Sequence, residues 1–102
     1  MKNKLLFVIT NDHMLNFMNK IVNDGMLNND YLILVGDKFK NRLNAKLQNV
    51  ICGSPKSTLF NIIDDTNVDW TVIGIMYSNA YENVLEAVNM TSVKESYLYC
   101  IE

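Results

Sequence analysis

Two short polar clusters hold the residues of this chain best suited to binding or activating a ligand. One is Thr10-Asn11-Asp12-His13; the other is Met76-Tyr77-Ser78-Asn79. Amide and hydroxyl side chains suit a polyhydroxylated ligand. A helix opening at either cluster would also present backbone N–H groups to an anion. His13 is the single histidine, with an ordinary pKa near neutrality. As a general base it would need an orienting carboxylate, and Asp12, adjacent in sequence, is poorly placed for that. A solvent-facing histidine in the first turn of a helix is the plainer reading. Asn11, Asp12, Ser78 and Asn79 are likewise the types that helix caps require. Capping therefore stands beside ligand binding for both clusters, and no catalytic residue is assigned.

Other chemistries lack their residues. No glycine follows Thr10 to let a pyrophosphate approach, so a dinucleotide fingerprint is absent, and so is a Walker-type loop. Cys52 and Cys100 have neither metal-ligand nor redox-pair spacing, and read as reduced, half-buried thiols. Asp64-Asp65 has no third ligand at useful spacing, so no metal or other cofactor is expected. A phosphorelay receiver would need an acidic cluster at Asn11-Asp12 and an aspartate near Cys52-Gly53-Ser54. Net charge is −2, and Lys38, Lys40 and Arg42 form the one local basic group. A nucleic-acid surface needs a broader patch, so no nucleic-acid partner is expected. The first apolar run is too short for a membrane span or an export signal. A cytoplasmic location is the expectation, and the sequon Asn89-Met90-Thr91 then carries no meaning.

The clusters sit where strands must end. Apolar runs at Leu5–Thr10, Tyr31–Gly36, Asn49–Cys52, Trp70–Met76 and Ser96–Ile101 alternate with amphipathic stretches. That alternation predicts one α/β domain over residues 1–102, a three-layer sandwich around a five-stranded parallel sheet. Met14, Met18, Ile21 and Val22 recur at helical spacing, with Leu15 and Phe17 widening the face and Gly25 as the stop. Asn28-Asn29-Asp30 reads as a turn. Phe39, Leu43 and Leu47 predict a short polar helix within Lys38–Gln48. Ser54 and Pro55 are expected as N-cap and first residue of a helix that buries Leu59, Phe60, Ile62 and Ile63. Ser78 or Asn79 is expected to cap a helix with Tyr81, Val84, Leu85 and Val88 inward; with Asn79 as cap, Glu82 completes a capping box. Right-handed crossovers favour strand order 3-2-1-4-5, with the two longest apolar strands central. Phe7, Val8, Ile9, Ile33, Leu34, Val72, Ile73 and Leu98 form the expected core. Strand order then reverses between the first and fourth strands, which opens a crevice beside both polar clusters.

The order Lys4-Leu5-Leu6-Phe7-Val8-Ile9-Thr10-Asn11-Asp12, a helix with Phe17 and Ile21, Tyr31-Leu32-Ile33-Leu34-Val35-Gly36, Asn49-Val50-Ile51, Trp70–Val88 and Ser96–Ile101 resembles one family. It is similar to the amino-terminal, Rossmann-like half of GT-B glycosyltransferases, within them the bacterial lipid-linked acetamido-fucosyl transferase group. The resemblance implies the acceptor-side half of an enzyme of envelope or capsular polysaccharide synthesis. Members carry a His-Gly-like pair after the fourth strand, where this chain has Tyr77-Ser78. They continue into a Trp-Gly-x-Asp-like turn and a second domain that holds most of the nucleotide-sugar site. This sequence stops at Glu102, so it is expected to be a fragment or stand-alone half, inactive in transfer by itself. The resemblance places a sugar or nucleotide-sugar among Thr10, Asn11, Asp12, His13, Tyr77, Ser78 and Asn79. The alternatives are a non-catalytic module for a protein partner and a flavodoxin-like metabolite-binding domain. Tyr97–Ile101, an edge strand guarded by Lys94 and Glu95 at its entry and Glu102 at its exit, is expected to pair with a second copy or a second domain.

Overall fold

Runs of β-branched and aromatic residues set the strands, and the longest of them take the centre. The computed structural model describes residues 2–25 and 30–101. The elements are β1 (Lys2–Ile9), α1 (Asp12–Asn23), β2 (Tyr31–Val35), a 3-10 helix (Asp37–Arg42), β3 (Val50–Cys52), α2 (Ser57–Ile63), β4 (Val68–Tyr77), α3 (Ser78–Asn89) and β5 (Glu95–Ile101). The five strands lie in order β3-β2-β1-β4-β5, every pair parallel. Phe7 stands beside Ile33 on one side and Ile73 on the other, which fixes the register of the three central strands.

The two faces carry separate cores. On one, Phe7 and Ile9 of β1 and Ile33 and Val35 of β2 pack under Met14, Leu15, Met18 and Ile21 of α1. On the other, Leu6, Val8, Leu34 and Val72 meet Leu59 and Ile63 of α2 and Val84 and Ala87 of α3. β1 is buried on both faces at its carboxyl half, as a central parallel strand must be. β4 is buried only on alternate residues, Trp70, Val72, Gly74 and Met76. Its opposite face is therefore less well covered. A Cβ on Gly74 would collide with the Met76 side chain, which fills the space the glycine leaves.

Several local expectations are corrected. Ile73 and Leu98 are half-buried and pack at the margins of the two cores rather than inside them. Phe17 is 40% exposed, because α1 rolls Met14, Leu15, Met18 and Ile21 inward and leaves it on the flank. The short polar helix expected within Lys38–Gln48 forms only in its first part, as a 3-10 helix over Asp37–Arg42. It ends at Arg42 and Leu43 is extended; Phe39 reaches the core from the 3-10 helix and Leu47 from the irregular segment after it. Asparagines hold that loop down: the Asn44 amide N–H donates to Asn19 Oδ1 at 2.8 Å, and Asn44 Nδ2 donates to Asn23 Oδ1 at 2.9 Å. Asn49 takes a positive φ of 58° just before β3, a conformation that asparagine tolerates better than most residues. Pro55 and Lys56 form a turn before α2, and Ser54 Oγ still accepts the Ser57 amide at 3.1 Å. Gly25 lies at φ 69° beyond α1, as its stop requires. Asn28 and Asn29 of the expected turn, and Glu102, lie outside the described residues.

Candidate functional site

The reversal of strand order between β1 and β4 places the carboxyl ends of both strands side by side. Thr10, Asn11, Asp12 and His13 leave β1 for α1 there, and Tyr77, Ser78 and Asn79 lead from β4 into α3. The fold thus brings the two polar clusters to one end of the sheet. They differ in what they do locally.

Asn11 is a structural joint. Its Oδ1 accepts the Met14 amide at 3.0 Å, capping α1. Its Nδ2 donates to the Ile75 carbonyl at 2.7 Å and to Thr10 Oγ1 at 3.4 Å. One buried side chain therefore caps a helix and ties the β1–α1 turn to β4. Asn11 is 5% exposed and forms the floor between the strands rather than an open ligand contact.

Asp12 and His13 are exposed in the first turn of α1. An Asp12 carboxylate oxygen lies 2.7 Å from an Arg42 guanidinium nitrogen, with both side chains more than half exposed. Arg42 was not legible as a site neighbour in the sequence, since the pair depends on the 3-10 helix folding back beside α1. The His13 ring meets the Tyr77 ring edge-on, with centroids 6.3 Å apart at 64°. Among the described residues no hydrogen bond links His13 to a carboxylate. The base–orienter pair of acid–base catalysis is not assembled.

The α3 end departs from the expected capping. Tyr77 itself occupies the N-cap position, in extended conformation, and no side chain accepts a hydrogen bond from the first turn. Ser78 and Asn79 are the first two helical residues rather than caps. Glu82 consequently lies beyond the capping-box position, and no box forms. Among the described residues, the first-turn amides of this twelve-residue helix have no side-chain acceptor, and they open beside exposed Ser78 and Asn79 and half-exposed Tyr77. Such a terminus favours negative charge and hydroxyl oxygens.

Concave surface also occurs elsewhere. A groove between α2 and α3 is lined by Lys56, Phe60, Asn61, Asn83, Glu86 and Met90, and a hollow at the amino end of the sheet by Asn3, Lys4, Asp30 and Thr71. The groove is mostly apolar. Neither hollow is lined by Thr10–His13 or Tyr77–Asn79. Among the described residues no cluster of His, Cys, Asp or Glu could hold a metal ion, and Cys52 and Cys100 form no disulfide. No helix among them is long and apolar enough to cross a membrane. Comparison with family models, with curated proteins and with solved structures finds no match to this chain.

Proposed function

We propose that the chain is the acceptor-side half of a GT-B-type glycosyltransferase for envelope or capsular polysaccharide, working in the cytoplasm with a second domain. It receives a sugar or nucleotide-sugar in the crevice between β1 and β4 and needs no metal or other cofactor for that step. The observation that carries this reading is the uncapped amino terminus of α3, which opens at the strand-order reversal beside His13 and Tyr77. Its amides suit phosphate or hydroxyl oxygens, and the two rings flank the ligand as an edge-on pair. Asp12 is engaged by Arg42 and His13 lacks an orienter, so these residues position a ligand rather than activate it. Catalysis then falls to the second domain.

Titration calorimetry with UDP-N-acetylglucosamine, UDP-galactose and neutral maltotriose tests the reading. Saturable binding of at least one of the three, at millimolar affinity or tighter, is expected. No saturable heat with any of them contradicts it. In that event the alternative gains, a non-catalytic module with a protein partner. That alternative draws on one observation: β5 leaves Tyr97 and Tyr99 exposed on the face opposite α3.

A further inference from the structure

The geometry points to β5 as a self-pairing edge, joining two copies of this chain antiparallel about Leu98 into one continuous ten-stranded sheet. The inference shares with the proposed function only the need for a partner, and is independent of any ligand. Among the described residues, β5 has a strand neighbour on one side, β4, and none on the other. Along an edge strand alternate residues present main-chain groups outward, and such edges pair with other chains unless they are blunted. This one carries no proline, and residues 95–101 run as one unbroken strand in register with Thr71–Tyr77. Charge guards only its two ends: within the strand Glu95 is the one charged residue, and residues 96–101 carry none.

The register follows from the sequence of the strand. A symmetric antiparallel pair keeps each face of the sheet continuous only when residues of like parity oppose one another. Full overlap of the seven residues places the two-fold axis at Leu98. Tyr97 then lies opposite Tyr99 of the second copy, twice over, and Ser96 lies opposite Cys100. Glu95 lies opposite Ile101, so no like charges meet. Aromatic cross-strand pairs of this kind are the stabilising unit of a sheet.

The area sets the strength. Tyr97 and Tyr99 are 61% and 67% exposed. At roughly 200 Å² per tyrosine, the four rings of a pair carry about 500 Å² of open surface. Specific interfaces bury about 1,200 Å² or more. The two strand edges and the α3 helices beside them must supply the remainder, which places the dimer at the small, reversible end of the range.

Sedimentation equilibrium of the intact chain, from about 10 μM to about 1 mM, is expected to show reversible dimerisation. Opposed residues of an antiparallel pair have Cα atoms about 4.5–5.5 Å apart, within disulfide range. Ser96→Cys should therefore give, on mild oxidation, a dimer linked between position 96 and Cys100, located by peptide mapping; positions 96 and 100 of one strand are too far apart to link internally. Tyr97→Lys combined with Tyr99→Lys, both exposed positions, sets lysine against lysine and should weaken the dimer at least about tenfold. A strict monomer at the highest concentration overturns the inference. So does a dimer that the lysine pair leaves unchanged, or a cross-link to Cys52 in place of Cys100. Dimerisation without ligand binding, or binding without dimerisation, separates this inference from the proposed function.

Discussion

Among the described residues, Asn11 is the buried polar residue, 5% exposed. Its two amide atoms serve two elements at once, the first turn of α1 and the carbonyl of Ile75. Asn11→Ala removes the cap, worth about 1 kcal/mol, and takes the donor from the half-buried Ile75 carbonyl, which costs about 1–2 kcal/mol, the lower part of the range for buried groups. A loss of about 2–3 kcal/mol in urea denaturation is expected. Arg42→Ala, by contrast, breaks an ion pair whose members are both more than half exposed, and should cost less than about 1 kcal/mol. Equal effects from the two substitutions would contradict this division. The sequence marked Asn11 as a cap but not as a tie to β4, because the second role depends on a neighbour 64 residues away. Arg42 was hidden for the same reason.

Among the elements, α3 is the one whose start breaks the local rules. Its N-cap is Tyr77, which has extended geometry but offers no acceptor. The sequence reading went to Ser78 and Asn79 because those types cap well; β4 running on through Tyr77 carries both inside the helix. Tyr77→Asp supplies an acceptor at a backbone position already suited to it, and should raise stability by about 1 kcal/mol in thermal or urea unfolding. The same carboxylate would occupy the amides offered to a ligand, so sugar-nucleotide binding should fall while stability rises. A variant that gains neither stability nor weakens binding would show that the missing cap has no functional meaning. Strand order, in turn, was legible because β1 and β4 carry the longest apolar runs and must lie side by side. The extent of the helix between Lys38 and Gln48 was not, since apolar residues four apart also arise where a short 3-10 helix and a following loop each dip one side chain into a core, as Phe39 and Leu47 do.

Across the whole molecule, helices cover the sheet unevenly. α2 and α3 together close one face, whereas α1 covers the other over β1 and β2 and leaves β5 open. Stability should follow this asymmetry. Leu34 is 1% exposed beneath the α2–α3 layer, and Leu34→Ala should cost about 2–5 kcal/mol through lost burial and a cavity. Tyr99→Ala, measured at micromolar concentration where the monomer prevails, should stay within about 0.5 kcal/mol. The proposed function belongs to this scale too: it would have a ligand enter where strand order reverses, not in the more apolar groove between α2 and α3. Amide chemical-shift mapping with UDP-N-acetylglucosamine tests it most directly. Saturable shifts at Thr10–His13 and Tyr77–Ala80 are expected, with Lys56, Phe60 and Met90 unmoved. Shifts confined to the α2–α3 groove, or none at the crevice with ligand in excess, would contradict it.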